Sequence, residues 1–331
     1  MTKTKIIFSI LAIMTAASLS SVSLEYWTER QGTVPYCFIN FLFPETLLHT
    51  FEGNIAKSEL GNHLIIVEKS DQHAALYRFQ NGEIPEIELM NAYQISSGKA
   101  DGNKLRRGDL KTPEGLYIAH PFFSEQNLRG RYGAIAAQYG TGAWELGYPN
   151  TLDRLRRKTG SGIWVHGTDV GTIPFDTEGC VRFENDVITY FNEELRFSKT
   201  PVIIGDVIEW VTIDFLLNEV QNIEIFLNNW LESWKRQDII QYLSFYDQDD
   251  FVTHRQNMDF ASWERHKRNI FQDSPVEIEM KDISYYYADN LLLISFTQNY
   301  YSTSVQNTGK KQLVLRRGRM GWRIVQEEFE I

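Results

Sequence analysis

The spacing of apolar residues changes near Ile213, and this change constrains the fold more than any other feature of the sequence. Beyond it, apolar side chains recur at alternating steps of four and three residues, the spacing of one face of an amphipathic helix. The residues on this face are Leu216, Val220, Ile223, Leu227, Trp230 and Trp234. Because 331 residues exceed what one ordinary core requires, we expect one domain at 61–212 and a second at 213–331.

The sequence before this boundary predicts a mostly β domain. Asn81-Gly82 is typical of a tight hairpin turn, and Asn185 is a suitable N-cap for a helix. We expect the first three strands to form a meander that the next two continue. The strands are predicted at 63–69, 75–79, 86–96, 117–120, 162–166 and 200–204, and the helix at 185–195.

The C-terminal part predicts helices first and an antiparallel sheet afterwards, an α+β order. A second helix is predicted at 262–271, followed by strands at 276–287, 290–302, 311–317 and 322–329. This order, with its long first helix, resembles the NTF2-like cone fold, in which the sheet wraps a pocket. The resemblance suggests aromatic lining residues, with plain core packing as the alternative. They are Trp230, Trp234, Tyr285, Tyr287 and Tyr300.

The N-terminus has the pattern of a secretory signal over residues 1–23. Lys3 and Lys5 precede an apolar run at 6–19, and small residues follow it. The run is short for a membrane span, so a cleaved signal and an uncleaved membrane anchor are both open. Residues 24–60 form an aromatic arm with a helix at 45–61, which packs on the protein or contacts another subunit in a homo-oligomer. We expect an exported protein of the periplasm or cell envelope.

The net charge and the cysteine content limit which binding partners, disulfides and cofactors are expected. The net charge of −10 argues against nucleic acid. Between Gly98 and Gly160, however, eleven Lys or Arg stand against six Asp or Glu, which leaves open an anionic substrate or merely solvated loops. A disulfide between the two cysteines, Cys37 and Cys180, would consume the candidate nucleophile, so we expect a free thiol. No metal-ligand spacing or phosphate-binding motif is present, and no cofactor is expected.

Cys180 and His166 are the residues most suited to catalysis. A thiol with a reference pKa near 8.5 needs a base or cation nearby to become a nucleophile at neutral pH. The imidazole takes the thiol proton and then returns one to the leaving amine, provided that a third group fixes its tautomer. Backbone amides around Gly179 and Cys180 are candidates for an oxyanion hole. If each residue is considered alone, the alternative for Cys180 is a buried structural cysteine, and the alternative for His166 is an ordinary histidine without a catalytic role.

The motifs around this pair resemble the L,D-transpeptidase (YkuD) catalytic domain of bacterial cell-wall enzymes. Four separated stretches agree with that family in order and spacing, over roughly residues 61 to 210. They are Gly108-Asp109-Leu110-Lys111-Thr112-Pro113-Glu114-Gly115, Trp144-Glu145-Leu146-Gly147-Tyr148-Pro149-Asn150, Trp164-Val165-His166-Gly167-Thr168 and Thr177-Glu178-Gly179-Cys180-Val181-Arg182.

The resemblance implies a role for each site residue. Cys180 is the nucleophile, His166 the base, and the Gly167 carbonyl orients the imidazole. Gly179, Arg182 and Thr177 contact the oxyanion or the substrate. The alternative for Arg182 is a structural ion pair with Glu178 or Glu184. In one departure, Glu178 replaces the second histidine of the family. A carboxylate beside the thiol would raise the thiol pKa, so we expect Glu178 to point away or to pair with a cation.

The implied substrate is the peptide stem of peptidoglycan. Cys180 would attack the carbonyl between the diamino acid and D-alanine of a tetrapeptide, forming a thioester. Transfer to an amine makes the chain an L,D-transpeptidase, the interpretation that the family favours. Transfer to water makes it an L,D-carboxypeptidase, and cell-shape carboxypeptidases share this two-domain plan. A third interpretation is a non-catalytic wall-binding protein.

Overall fold

The computed structural model describes residues 32–43, 47–49, 54–56, 60–80, 86–195, 197, 199–271, 276–319 and 321–331. The predicted signal or anchor at 1–23 and the predicted turn at Asn81-Gly82 lie outside these residues. The described chain divides into two compact units: apart from Phe43, which is grouped with the second unit, the first unit ends at Ile213 and the second begins at Asp214. Within the described ranges, no helix is both long and apolar enough to cross a membrane.

The predicted fold class is confirmed: a mostly β first unit is followed by an α+β second unit. The strands of the first unit are β1 (Thr33–Pro35), β2 (Leu47–His49), β3 (Asn54–Ala56), β4 (His63–Glu68), β5 (His73–Gln80), β6 (Glu86–Gln94), β7 (Gly115–Ser124), β8 (Gly142–Leu146), β9 (Trp164–His166), β10 (Val181–Arg182), β11 (Pro201–Gly205) and β12 (Trp210–Thr212). Its helices are α1 (Glu125–Tyr132), α2 (Thr151–Leu155) and α3 (Asn185–Glu193), with 3-10 turns at Tyr36–Phe41 and Gly133–Tyr139.

The first unit is built on an eight-stranded sheet in the order β10-β9-β8-β7-β11-β4-β5-β6. The predicted meander holds for β4, β5 and β6, which pair antiparallel in sequence. The predicted continuation of the meander through the strands at 117–120 and 162–166 was wrong, because β11 inserts between β4 and β7 and pairs parallel with β4. A buried central strand maximises apolar burial, and β11 is buried from Pro201 to Ile204.

Two local predictions were also wrong. The helix expected at 45–61 is replaced by the antiparallel pair β2 and β3. The helix α3 is present, but its N-cap is Glu184, and no side chain caps it. Asn185 is the first helical residue, and its side chain is used elsewhere.

The N-terminal strand β1 pairs with β12, and the 3-10 turn that follows β1 buries Phe38 and Phe41.

The predicted helices and four long strands of the second unit follow in the predicted order, but two short strands of the sheet, at 252–253 and 258–259, come before the last helix and were not predicted. The long helix α4 (Ile213–Lys235) is followed by α5 (Ile239–Ser244), which the sequence did not suggest, and by α6 (Phe260–Ile270). The sheet has the order β14-β13-β18-β17-β16-β15. Its strands are β13 (Val252–Thr253), β14 (Met258–Asp259), β15 (Glu277–Ala288), β16 (Leu291–Tyr301), β17 (Gln306–Gly318) and β18 (Gly321–Glu330).

A buried charge cluster lies between α6 and this sheet. Both Lys267 and Lys311 contact the same carboxylate oxygen of Glu327, at 3.4 and 2.6 Å. The other oxygen accepts hydrogen bonds from the hydroxyls of Tyr242 and Tyr246. Burial, opposed by Glu327, lowers the pKa of Lys267 to about 7. The pKa of Glu327 falls to about 2, because the two lysines and the hydrogen bonds outweigh the cost of burial.

We expect Glu327→Gln to destabilise the second unit strongly. The substitution removes the carboxylate that both buried lysines contact, and breaking a buried pair in this way costs about 3 kcal/mol or more. Urea unfolding followed by tryptophan fluorescence measures the loss. Glu330→Gln is the matched control on β18, since Glu330 is exposed, and its effect should stay within about 0.5 kcal/mol. Equal stability of the two variants would contradict the prediction.

Candidate active site

The parallel pairing of β9 with β10 brings the sequence-predicted site residues to one face of the sheet. Val181 pairs with Val165, and Arg182 pairs with His166. Because side chains alternate along a strand, His166 and Arg182 share the face opposite the two valines, and Cys180 precedes β10 on that same face. Val165 and Val181 are fully buried in the main core. Cys180 packs instead against a separate aromatic cluster.

The imidazole of His166 has a defined orientation. Its Nδ1 lies 2.6 Å from the carbonyl oxygen of Gly167, and the side chain is buried. A carbonyl only accepts hydrogen bonds, so Nδ1 carries the proton and Nε2 is left as the basic nitrogen. The Gly167 amide in turn donates to the carbonyls of Tyr139 and Gly142. Burial lowers the pKa of His166 to about 4, although the bond to Gly167 opposes that shift.

Asn185 fastens the loop that carries this carbonyl. Its Oδ1 accepts hydrogen bonds from the amides of Thr141 and Thr168, at 3.1 and 3.0 Å. Its Nδ2 donates to the Thr168 carbonyl at 2.7 Å. Gly140 and Gly167 leave room for it, since a Cβ at either residue would lie within 2.3 Å of Oδ1. One side chain of α3 therefore sets the backbone on both sides of the His166 turn.

The loop before the thiol is closed by Thr177. Its hydroxyl donates to the Cys180 carbonyl at 2.7 Å and accepts from the Gly179 amide at 3.1 Å. The Gly179 amide is thus engaged within the loop in this structure. Gly179 has φ +129°, and a Cβ there would lie 2.7 Å from the Lys111 carbonyl oxygen. Only glycine fits this turn without strain.

The thiol of Cys180 is at rest in the structure. Sγ donates to the Gly162 carbonyl at 3.7 Å, and it makes no hydrogen bond to His166, both residues being among those described. Burial raises the pKa of the Cys180 thiol to about 11, although a Trp164 backbone hydrogen bond and the charge of Arg182 oppose this. Both proposed catalytic groups are therefore neutral at pH 7. Cys37 and Cys180 are both free thiols.

Arg182 is held by Asp176. The guanidinium lies 3.2 Å from the Asp176 carboxylate and donates to the carbonyls of Asp176 and Gly171. Neither ion pair considered from the sequence, with Glu178 or with Glu184, is the one observed. Glu178 is exposed, which agrees with the expectation that it points away. The Nε of Arg182 is buried and has no hydrogen-bond partner among the described residues.

An aromatic wall stands beside the thiol. Tyr139 meets the imidazole of His166 edge to face, with ring centroids 5.1 Å apart. Tyr139 also packs on Trp164, which contacts Phe123 and Tyr132. These rings surround the site with apolar surface and lower its local polarity. Low polarity strengthens any charge interaction formed there during a reaction.

The second unit has a cavity of about 330 Å³ next to the buried charge cluster. Two of the five aromatic residues proposed from the sequence, Trp234 and Tyr300, line it. The other three, Trp230, Tyr285 and Tyr287, are buried but do not line this cavity. The side chains of Lys267, Lys311 and Glu327 also border it.

Sequence reasoning missed three participants: Asn185, Tyr139 and Asp176. Asn185 was interpreted as a helix cap, because its position before an apolar helix suits that role. The glycines at 140 and 167 were the available signal, since each marks a place where another group approaches the backbone closely. Asp176 lies one residue before the motif and carries no signal of its own.

Family models match both parts of the chain. The YkuD L,D-transpeptidase catalytic domain matches residues 62–204, and the Cds6 C-terminal NTF2-like domain matches residues 222–328. No curated protein matches the sequence.

Solved structures with the same two-domain layout are similar over nearly the whole chain. Bd1075 from Bdellovibrio bacteriovorus has 26% sequence identity and a TM-score of 0.54, over 90% of this chain and 98% of that one. The helical cell shape determining protein Pgp2 from Campylobacter jejuni has 25% identity and a TM-score of 0.59, over 88% and 98%. A point mutant of Pgp2 has 26% identity and a TM-score of 0.61, over 86% and 93%. The chain thus joins a YkuD-family L,D-transpeptidase catalytic domain, of a family that acts on peptidoglycan, to a C-terminal NTF2-like domain.

Proposed function

We propose that this protein is an exported L,D-carboxypeptidase that trims the tetrapeptide stems of peptidoglycan to tripeptides. Cys180 attacks the carbonyl between the diamino acid and D-alanine, and His166 takes the thiol proton and passes a proton to the departing amine of D-alanine. Water then hydrolyses the thioester with His166 as base. The observation that carries the proposal is the pairing of β9, which ends at His166, with β10, which directly follows Cys180, together with an imidazole whose Nδ1 is fixed by Gly167.

The domain layout is the reason for proposing water, and not an amine, as the group that accepts the acyl chain from the thioester. The similarity to a helical cell shape determining protein spans both domains, and trimming of stems is a reaction that changes wall shape without adding crosslinks. Transpeptidation requires a second groove that holds an amine and keeps water from the thioester. Transfer to an amine, the outcome that the family name suggests, remains the second candidate.

Proton transfer must begin from a neutral pair. With the thiol pKa near 11 and the imidazole pKa near 4, the thiolate–imidazolium form is scarce before substrate binds. Attack is therefore concerted with transfer of the thiol proton to Nε2, after the thiol turns from Gly162 toward His166. The developing oxyanion requires donors that are not already engaged, such as the Cys180 amide. The charge of Arg182 stabilises negative charge at the thiol, as its influence on the Cys180 pKa indicates.

A non-catalytic wall-binding role is disfavoured by the same geometry. The hydrogen bonds of Asn185, Thr177 and Gly167 all serve to fix the turn before the thiol or the turn after the imidazole. A pure binding surface does not need an oriented imidazole with a free basic nitrogen.

Cys180→Ala is expected to abolish release of D-alanine from disaccharide tetrapeptide, by a factor on the order of 10⁴ or more. Chromatography of the products measures tripeptide and D-alanine, and addition of a second stem or a D-amino acid shows whether crosslinked or exchanged products form. Cys37→Ala is the control and should keep full activity. Unchanged turnover in the Cys180 variant would refute the mechanism, and dimer formation by the native protein would assign it to the transpeptidases.

The pH dependence of thiol alkylation should reveal the neutral pair. Because the Cys180 pKa lies near 11, the rate of reaction with iodoacetamide should rise about tenfold per pH unit from pH 7 to 10. The base form of His166 is present above pH 4, so kcat/KM should fall only as the pH drops through about 4. A Cys37→Ala background restricts the alkylation to Cys180. An alkylation plateau below pH 8 would instead indicate a preformed thiolate–imidazolium pair.

Asn185→Ala should lower kcat by roughly 10- to 100-fold, because it releases the backbone that positions His166. The pH profile separates positioning from general destabilisation: a loosened turn admits water, so the His166 pKa and the acidic limb should move up toward 6.5. Asn192→Ala, an exposed change on the same helix, is the control. An acidic limb that stays near pH 4 in a folded Asn185→Ala variant would contradict the positioning role.

A further inference from the structure

Two basic segments of the first unit lie side by side. They are residues 104–111, in the loop before β7, and residues 151–160, which contain α2. The Thr159 amide donates to the Leu105 carbonyl at 2.9 Å, and a Cβ on Gly160 would lie 3.4 Å from the Cα of Arg107. The basic bias found in the sequence between Gly98 and Gly160 is thus concentrated on one surface.

The acids of these segments are already neutralised by buried lysines. Asp109 pairs with Lys104 at 2.7 Å, and Asp153 pairs with Lys158 at 3.1 Å. Hydrogen bonds from the Lys104 ammonium and from the backbone amides of Arg106, Leu105 and Lys111 hold the pKa of Asp109 well below its usual range, in spite of desolvation. Neither carboxylate is therefore available to balance charge at the surface.

Five arginines of these segments are exposed: Arg106, Arg107, Arg154, Arg156 and Arg157. We call Arg106, Arg107, Arg154 and Arg157 the arginine surface. In the described part of the chain, no carboxylate pairs with any of these four. Arg154 is partly fixed, since its guanidinium donates to the Pro149 carbonyl and to the Thr151 hydroxyl. The protein as a whole has a net charge of −10, which repels an anionic polymer. A local group of unpaired arginines can still attract such a polymer at short range.

The segments that carry the arginine surface continue into the backbone around the nucleophile. Residues 160–162 connect it to the carbonyl of Gly162, on which the Cys180 thiol rests. The far end of the basic loop reaches Gly179 through the Lys111 carbonyl. The charge of Lys104 also acts on the Cys180 thiol and lowers its pKa slightly against the effect of burial.

We propose that the arginine surface binds free carboxylates of the peptide stems that flank the stem being cut, so that the enzyme docks on polymeric peptidoglycan. This inference rests on the proposed function and adds a second contact with the same substrate. Guanidinium groups match carboxylates in a bidentate geometry, and several neighbouring stems present several carboxylates along one strand. Continuity with the thiol loop favours the polymer under attack over a lipid bilayer.

Binding to insoluble peptidoglycan tests the proposal in the Cys180→Ala background, where no turnover occurs. Changing all four arginines to Gln should weaken binding about tenfold at low salt and flatten its dependence on salt concentration. Peptidoglycan whose carboxylates are amidated with carbodiimide and ammonia should bind the unchanged surface just as weakly. The control variant removes four exposed arginines of the second unit and the same net charge. These are Arg236, Arg255, Arg265 and Arg268.

Kinetics separate this proposal from the proposed function. With Cys180 intact, the four-arginine variant should cleave a soluble single-stem disaccharide tetrapeptide at the native rate and polymeric peptidoglycan about tenfold more slowly. Unchanged binding to the polymer, or unchanged binding after amidation, would overturn the docking surface while leaving the catalytic proposal intact. Loss of binding to phosphatidylglycerol vesicles alone would assign the surface to a bilayer and also overturn it. Absence of cleavage by the native protein would refute the catalytic proposal itself.

Discussion

The candidate site depends on the parallel pairing of two very short strands, β9 and β10, at one end of the large sheet. Alternation puts Val165 and Val181 into the core and leaves His166 and Arg182 on the opposite face. The outer side of β10 is also held, because Arg182 exchanges two backbone hydrogen bonds with Ser96. The buried valines therefore fix where the polar groups lie, and a slip of one residue would exchange the two sets.

A second feature of the candidate site is that burial keeps its two reactive groups uncharged. Burial pushes the pKa of Cys180 up and that of His166 down, so neither group is charged near pH 7. A buried ion pair would need several compensating hydrogen bonds, whereas the neutral pair does not carry that desolvation cost. In the proposed mechanism, charge forms only when a substrate carbonyl is present, where Arg182 and a backbone amide can stabilise it. A neutral thiol is also less reactive toward oxidants, because the thiolate is the reactive form.

The protein uses buried lysine–carboxylate pairs to fix its loops. Lys104 with Asp109 and Lys158 with Asp153 shape the two segments that carry the arginine surface. In the second unit, the Glu327 carboxylate forms ion pairs with Lys267 and Lys311 beside the cavity. Such pairs add little net stability, but each specifies one loop conformation, since any other would leave a charge buried without a partner. The four residues of the arginine surface can then stay free of internal acids.

The sequence by itself predicted the change of pattern at Ile213, the helices α3, α4 and α6, most of the longer strands, and the Cys180 and His166 motifs, because these depend on local spacing and on residue chemistry. It did not determine that β11 lies between β4 and β7, since strand order depends on which faces become buried after the chain collapses. Nor did it assign Asn185 to the His166 turn or Asp176 to Arg182. Those contacts join residues whose partners lie up to 44 positions away, and only the tertiary packing of α3 and the thiol loop brings them within hydrogen-bonding distance.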